Sequence, residues 1–265
     1  MSQSATLPVP ADLADEMFDA LQAKATTRPR AIAWLGVLAG VYIGLGGLFA
    51  TVALAGAATL PFGVSQLLAG FVFALGLALV IIAGAELFTG NMLFAGCVAT
   101  GRVPLGTAAR ALAIAYVANF VGSLLLAALV MAAGFHEAGD GAIGLAAIEL
   151  GEGKLDKGFA ATLASGILAN MLVCLGVWLA AAGRTVTQKI SGLILPVAAF
   201  VAAGLEHSVA NMYLLPYAWM VQQATGQGTD AMALAPILAN LVPATLGNML
   251  GGAAVALAYW RAYRP

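Results

Sequence analysis

Charged side chains are scarce in this 265-residue sequence, where they account for 9% of residues against 62% hydrophobic residues. A soluble globular domain carries about 25% charged residues, so this chain cannot cover a water-facing surface of its size. The composition excludes a soluble enzyme. The net charge of −1 offers no basic surface to a phosphate backbone, so no nucleic-acid partner is expected. With a mean hydropathy of +0.97, the sequence predicts an integral membrane protein whose partner is the lipid bilayer.

Cysteine, histidine and cofactor-binding motifs are also scarce. Cys97 and Cys174 lie in apolar stretches and predict neither a disulfide framework nor a metal site. The two histidines, His136 and His207, do not form a pair on facing spans that would hold haem. Nucleotide-binding, hydrolase and metalloprotease motifs are absent from the sequence. We therefore expect no metal, no cofactor, no catalytic residues and no enzymatic activity.

Residues 1–31 predict a cytoplasmic segment rather than a signal peptide, because they contain four acidic residues and no apolar core. Within it, Leu13, Met17 and Leu21 recur at helical spacing after Pro10, which predicts an amphipathic helix over residues 10–28. We interpret it as a helix along the membrane surface, with a movable plug beneath a pore as the alternative. A channel domain is expected over 32–260 and a cytoplasmic tail over 261–265.

Six apolar runs follow, at about 32–57, 64–99, 106–133, 158–182, 190–221 and 233–260. About 20 apolar residues cross the hydrocarbon core as a helix. The second and fifth runs are too long for one straight helix and too short for two. We predict an all-α protein with six transmembrane helices, of which the second and fifth are broken. On the first run, Gly36, Gly40 and Gly44 predict a helix-packing face.

The distribution of basic residues predicts the orientation. With six spans, one side of the membrane receives nine basic residues and the other receives Lys154 and Lys157. The nine are Lys24, Arg28, Arg30, Arg102, Arg110, Arg184, Lys189, Arg261 and Arg264. Cytoplasmic loops carry the excess of Lys and Arg, so both termini are expected in the cytoplasm.

An internal repeat supports the same architecture. Residues 84–93 (GAELFTGNML) and 204–213 (GLEHSVANMY) share Gly, Glu, Asn and Met at an offset of 120, and Asn119 is echoed by Asn248. The two halves, 32–133 and 158–260, contain three spans each and must therefore have opposite orientations in the membrane. Inverted repeats with helices interrupted at matching positions predict a transport pathway near the midplane.

The interruptions have a physical basis in the sequence. Gly84 and Gly204 are expected to end helices in the left-handed conformation, and Thr89 or Ser208 to cap new ones. Two half-helix N-termini would then face the centre of the protein, where their partial positive charge favours an anion.

Three ionisable side chains lie deep in the predicted spans: Glu86, Glu206 and His207. A charge at the bilayer centre costs about 2.5–3.5 kcal/mol on insertion scales, so such residues are functional candidates. We expect the two glutamates to support the loops by accepting hydrogen bonds from freed N–H groups, with proton carriage as the alternative. His207, which has Leu87 at its repeat position, is expected to titrate beside a passing weak acid, the alternative being a packing role.

Four segments carry a resemblance to a known family: GAELFTGN (84–91), GILANMLVCLGVW (166–178), LPVAAFVAAGLEHSVANM (195–212) and LVPATLGNMLGG (241–252). Through them the chain resembles the formate/nitrite transporter family over nearly its whole length. The resemblance implies an aquaporin-like fold and a homopentamer with one pore in each protomer.

The resemblance also implies site residues. Thr89 would face the central His207, Asn170 and Asn248 would lie along the substrate pathway, and Lys154 would draw anions into a vestibule. Apolar constrictions would be formed by Phe73, Val173 and Phe200 on one side of His207, and by Leu77, Leu87 and Phe88 on the other.

The expected function is pH-dependent passage of formate and similar small monovalent anions across the bacterial inner membrane, with His207 giving a proton to the substrate. The segment LAN-x-x-VCL resembles formate channels, whereas Gly90-Asn91 after Thr89 resembles nitrite and hydrosulfide members. A nitrite or hydrosulfide channel is therefore one alternative, and a non-transporting membrane anchor subunit is another. A neutral-solute channel of the aquaporin type lacks support, because neither break contains Asn-Pro-Ala.

Overall fold

The computed structural model describes residues 7–229 and 232–263. Arg264 and the end of the predicted tail lie outside the described residues. Within these ranges the chain is helical and contains no strand. The helices are α1 (Pro10–Ala25), α2 (Pro29–Leu54), α3 (Phe62–Ala83), α4 (Phe88–Asn91), α5 (Phe94–Ala99), α6 (Leu105–Ala132), α7 (Ala142–Leu155), α8 (Phe159–Ala182), α9 (Val186–Ala202), α10 (Ser208–Thr225) and α11 (Leu234–Ala262). Two single 3₁₀ turns occur at Ala57–Thr59 and Phe135–Glu137.

Five helices in the described ranges are long and apolar enough to cross a membrane, namely α2, α3, α6, α8 and α11. Large apolar side chains on their outer faces, such as Phe71, Leu125 and Leu129, are exposed, which is typical of a surface in contact with lipid. The second apolar run forms α3 followed by α4 and α5, and the fifth forms α9 followed by α10. The molecule is a membrane-spanning helical bundle.

Glycines allow two pairs of helices to pack with their backbones in contact. A Cβ at Gly40 of α2 would overlap the carbonyl oxygen of Asn119, and one at Gly122 of α6 would overlap that of Val37. The pair α8 and α11 repeats this arrangement, because a Cβ at Gly251 would overlap the carbonyl oxygen of Ile167. The predicted packing face on the first span is confirmed, and it faces α6.

Helix α7 lies between the third and fourth apolar runs, where the sequence analysis predicted no helix. It is 14 residues long and contains both charges and glycines, so it does not stand out as a span. Its buried side chains, including Ile143 and Ile148, pack it against α10. A short helix of this kind is stabilised by tertiary packing rather than by its own propensity, which explains why sequence periodicity missed it.

Helix α1 is confirmed as an amphipathic helix, and its apolar side chains are buried against the other helices. Its buried face packs on α5 and α8, where the Phe18 ring lies against Gly96 and meets Trp178 edge-on at 6.0 Å. Ion pairs hold its exposed face, including Arg184–Glu16 at 2.8 Å and Arg102–Asp15 at 3.1 Å. The helix therefore covers one end of the bundle.

We expect Gly122→Ala to lower the melting temperature of the detergent-solubilised protein, because overpacking a closely packed contact costs about 1–3 kcal/mol. Gly106→Ala is the matched control on the same helix, since a Cβ there meets no atom within 4 Å. Helical Gly→Ala at such a site is neutral or stabilising by about 0.5–1 kcal/mol. Equal melting temperatures for the two variants would contradict the close contact between α2 and α6.

The docking of α1 is expected to weaken in acid. The hydrogen bond from Arg184 holds the pKa of the Glu16 carboxyl below its usual value. The carboxyl is therefore charged more readily when docked, so its contribution is present above its undocked pKa of about 4.3 and is lost as the pH falls through the lowered value. Electron paramagnetic resonance of a spin label on Ala11→Cys should show a more mobile α1 once the pH falls below the lowered pKa of Glu16. Glu16→Gln should remove this part of the pH dependence, and an unchanged transition in that variant would contradict the assignment.

Candidate functional site

Helices α3 and α9 end in the same way. Gly84 follows α3 with φ of 80°, and Gly204 lies two residues after α9 with φ of 61°. The next residue in each case donates a hydrogen bond back to the last turn, Ala85 to the carbonyl of Val80 and Leu205 to that of Phe200. The predicted left-handed glycine ends are confirmed, and the chain turns back into the bundle after each of them.

The expected caps, Thr89 and Ser208, are wrong. His207 is itself the N-cap of α10, because its Nδ1 accepts a hydrogen bond from the N–H of Ala210 at 3.0 Å. Leu87 precedes α4, which is a single turn of four residues and continues through a tight turn into α5. The two breaks therefore do not present equal half-helix N-termini, since α10 is long and α4 is one turn.

His207 connects the two interrupted segments. Its Nε2 lies 2.8 Å from the hydroxyl oxygen of Thr89, and both side chains are buried. Because Nδ1 accepts from Ala210, the neutral ring carries its proton on Nε2 and donates it to Thr89. A second proton would have to bind Nδ1 and break the cap of α10. The contact between Thr89 and His207 holds the two loops against each other in the protein interior.

Two cavities approach this pair from opposite ends of α3. The larger, of about 730 Å³, is lined by residues of α7 and reaches His207 between Phe73 and Phe200. The smaller, of about 330 Å³, lies beside α1 and is lined by Leu77 and Leu87. We call them the α7 vestibule and the α1 vestibule. Apolar side chains and the Thr89–His207 pair separate them.

The predicted constriction residues divide into two groups. Four of them line a vestibule: Phe73, Phe200, Leu77 and Leu87. Phe73 and Phe200 meet edge to face with their ring centroids 5.5 Å apart, next to His207. Val173 and Phe88 are buried and do not line either of these two vestibules, and Phe88 packs instead against Tyr116 at 4.9 Å.

Two asparagines hold the loop backbones. Asn119 accepts the N–H of Phe88 at 2.9 Å and donates to the carbonyls of Gly36 and Glu86. Asn248 does the same in the other half: it accepts the N–H of Ser208 at 2.8 Å and donates to the carbonyls of Gly166 and Glu206. Each side chain thus satisfies three backbone groups that a helix break leaves free.

The predicted pathway asparagines have different surroundings. Asn248 uses its amide group for the loop contacts and is fully buried, so the structure brings it behind the loop rather than to a vestibule wall. Asn170 donates to the carbonyls of Thr89 at 3.0 Å and Asn248 at 2.6 Å. Its Oδ1 is buried without a hydrogen-bond partner among the described residues. Asn170 therefore positions Thr89 from behind and keeps one free acceptor.

The sequence analysis expected the two buried glutamates to accept hydrogen bonds from freed backbone N–H groups. In the structure their carboxylates bind side chains instead. The carboxylate of Glu206 binds the side chains of Lys154 at 3.2 Å, Lys157 at 2.7 Å and Asn211 at 2.6 Å. Glu86 binds Asn91 at 2.7 Å and lies 3.6 Å from the ammonium of Lys24 on α1.

Each glutamate thus joins a loop to a surface helix, Glu206 to the end of α7 and Glu86 to α1. Among the described residues, no group of three or more metal-ligating side chains is found.

Known proteins are similar to this chain in sequence and in the arrangement of their helices. A family profile described as "Formate/nitrite transporter" matches residues 11–261. The chain belongs to the formate/nitrite transporter family. The formate channel FocA of Escherichia coli K12 is 36% identical, over 97% of this chain and 95% of its own length. FocA of Haemophilus influenzae is 36% identical, over 87% of this chain and 85% of its own.

Solved structures show the same fold. One described as a pentameric formate channel with formate bound superposes with a TM-score of 0.82 at 35% identity, covering 89% of this chain and 98% of that one. A second, described as an FNT family ion channel, gives a TM-score of 0.81 at 32% identity, covering 95% and 98%. These relatives are channels or transporters, and the chain is a membrane protein of their family.

Several residues of this family member's site were missed by the sequence analysis. Asn91 and Asn211 stood in the aligned repeat but were given no role, although an amide five residues after a glutamate in both halves is a usable signal. Asn119 was noted as an echo of Asn248 and could have been assigned by that symmetry. Lys157 has no counterpart in the repeat, so its contact with Glu206 depends on how α7 packs.

We expect Asn119→Ala and Asn248→Ala each to destabilise this transporter-family fold, because each leaves buried backbone groups without partners at a cost of about 1–3 kcal/mol per group. Thermal unfolding of the detergent-solubilised protein measures the loss. Gln66→Ala, which truncates an amide side chain in the wall of the α7 vestibule, is the control and should change the melting temperature little. Equal melting temperatures for the wild type and both Asn variants would contradict the support of the loops by these residues.

Proposed function

We propose that this protein is a pH-dependent channel for formate and similar small monovalent anions across the bacterial inner membrane. The observation that carries the proposal is the buried hydrogen bond between Thr89 and His207, which lies between two vestibules that approach it from opposite ends of α3. The names of the relatives, formate channel and formate transporter, support formate as the substrate.

We propose a topology of six spans in two inverted three-helix repeats, with both termini in the cytoplasm. The equivalent hydrogen bonds of Asn119 and Asn248 support the repeat, because each side chain binds the same three kinds of backbone group in its own half. The basic residues at the end covered by α1 support a cytoplasmic location for that end. The α7 vestibule then opens on the outer side.

Lys154 is proposed to attract the anion. Its side chain is 12% exposed and lines the α7 vestibule beside His207. A cationic group in a cleft with apolar walls focuses the field and raises the local concentration of an anion. The long helix α10 adds the partial positive charge of its N-terminus at the end of this path.

The apolar side chains around His207 are proposed to exclude hydrated ions, because an anion without partners there is strongly disfavoured. The Nε2–H of His207 faces Thr89 and would shift to a passing anion as a hydrogen-bond donor. An anion beside the ring supplies the opposite charge that an imidazolium needs, so proton uptake and anion arrival favour each other. In this step the ring takes up a second proton at Nδ1, which releases the hydrogen bond from Ala210, and Nε2 gives its own proton to the substrate. The substrate crosses the constrictions as the neutral acid, and the ring is left neutral with its proton on Nδ1.

We propose a homopentamer with one pathway in each protomer, supported by the similar solved structure described as pentameric. The exposed apolar faces of α2 and α6, which include Trp34 and Val117, leave room for contacts with lipid or with a neighbouring protomer.

A comparison of four anions tests the proposed substrate. Proteoliposomes containing a pH dye receive formate, nitrite, hydrosulfide or chloride, and formate is expected to give the fastest pH change while chloride gives none. A faster response to nitrite or hydrosulfide would replace the proposed substrate and keep the mechanism. No flux above empty liposomes for any of the four, from verified folded protein, would contradict a transport function and favour a membrane anchor subunit.

The variant His207→Asn tests the proton step while keeping an N-cap residue at the start of α10. Asn is a good N-cap residue and can keep the hydrogen bond to Ala210, but it cannot exchange a proton at neutral pH. We expect the variant to fold and to lose at least about tenfold in formate flux, with a flattened pH profile. Gln227→Asn, a substitution at an exposed loop residue that lines neither vestibule, is the control. Wild-type flux and an unchanged pH profile in His207→Asn would contradict the proton step.

A further inference from the structure

Lys157 adds a second ammonium group to the buried carboxylate of Glu206 at the α7 vestibule. Its ammonium donates to Oε1 of Glu206 at 2.7 Å and to the carbonyl oxygen of Gly204 at 2.6 Å. Lys154 reaches the other oxygen of the same carboxylate at 3.2 Å. Glu206 is completely buried, whereas the side chain of Lys157 is 33% exposed. Two ammonium groups therefore share one buried carboxylate.

The equivalent cluster at the other end of the bundle has a different charge. Glu86 contacts one lysine among the described residues, Lys24, and the ion-pair distance is longer, at 3.6 Å. That pair is neutral overall. The repeat supplies a glutamate and an asparagine to both ends, and among the described residues a second lysine pairs with the glutamate at the α7 end only. At the α1 end the second lysine, Lys189, lines the vestibule without contacting Glu86 within 4 Å.

The two lysines make different contacts, which give them different roles. Lys157 takes the shorter bond to Glu206 and also binds Gly204, at the carbonyl end of α9, where a cation is favoured by the helix dipole. Lys154 has the longer contact with Glu206 and lines the vestibule that leads to His207. Because one positive charge already balances the carboxylate, the second is available to an incoming anion.

Two acidic residues lie nearby. Glu149 lines the same vestibule and is exposed, and Asp156 is exposed beside Lys157. Water and salt screen exposed charges over about 10 Å at 0.1 M ionic strength, whereas buried or half-buried groups are screened less. The net positive charge of the Lys154–Lys157–Glu206 cluster thus dominates the inner end of the vestibule.

We propose that Lys157 is a positioning residue that neutralises Glu206, so that Lys154 keeps an uncompensated charge and captures anions from the α7 side of the membrane. The proposal rests on the proposed channel function and adds a role for Lys157 at the entrance on the α7 side.

The test measures initial formate flux against formate concentration in liposomes sorted by orientation through a C-terminal tag. For entrance from the α7 side at low ionic strength, we expect Lys157→Gln to raise the half-saturating concentration by up to about tenfold, with little change in maximal flux. The difference should shrink at about 0.15 M inert salt. Lys157→Arg, which keeps the charge, should restore most of the wild-type behaviour.

Neighbouring acidic residues provide matched controls. Asp156→Asn should leave the half-saturating concentration nearly unchanged, and Glu149→Gln should shift it in the opposite direction to Lys157→Gln. An unchanged half-saturating concentration in Lys157→Gln, or a fall in maximal flux that salt does not alter, would overturn the proposal in favour of a purely structural cap on α9.

Two further outcomes also bear on the role of Lys157. If Lys157→Gln does not fold, two other results test the proposal. They are the salt dependence of the wild-type flux and the opposite shift of the half-saturating concentration in Glu149→Gln. The absence of both overturns the proposal. A wild type that carries no formate at all overturns the channel function and this inference together, which distinguishes that failure from the failure of the Lys157 role alone.

Discussion

The structure depends on satisfying the backbone groups that the two helix breaks leave free inside an apolar bundle. A backbone N–H or C=O without a partner is costly at membrane depth, where no bulk water is available. Asn119 and Asn248 supply the missing partners, three backbone groups each. Since both loops are held in this way, Thr89 and His207 can meet at 2.8 Å in the interior.

Close helix packing makes these contacts possible. Gly40 and Gly122 bring the backbones of α2 and α6 together, and Asn119 lies in that contact, from which it reaches both α2 and the loop. Gly247 and Gly251 serve the same purpose between α8 and α11 next to Asn248. The small residues therefore do more than permit packing, because they place an amide group within reach of a broken helix.

Much of this architecture could be predicted from the sequence. Long apolar runs predicted the spans, and the glycines at positions 84 and 204 predicted the breaks, because a left-handed helix end needs glycine. The partners of His207 and Glu206 could not be predicted in full. His207 as a cap depends on its local backbone conformation, and the contact of Lys157 depends on the packing of α7, which has no strong sequence signal.

The buried carboxylates are balanced by lysine side chains, whereas the loop backbones are held by asparagines. The two glutamates are buried but are paired with lysines that come from surface elements, α1 at one end and the end of α7 at the other. A buried carboxylate needs such partners to remain charged. Each carboxylate is thereby balanced next to the loop that carries it, Glu86 by Lys24 and Glu206 by Lys154 and Lys157.

In the proposed mechanism the substrate crosses the apolar constrictions as a neutral acid. The most direct measurement records internal pH and membrane potential together while formate enters proteoliposomes. The account predicts that each formate carries one proton inward, so that the interior acidifies without a change in membrane potential. A membrane potential that grows with formate flux while internal pH stays constant would show passage of the bare anion and would contradict the account.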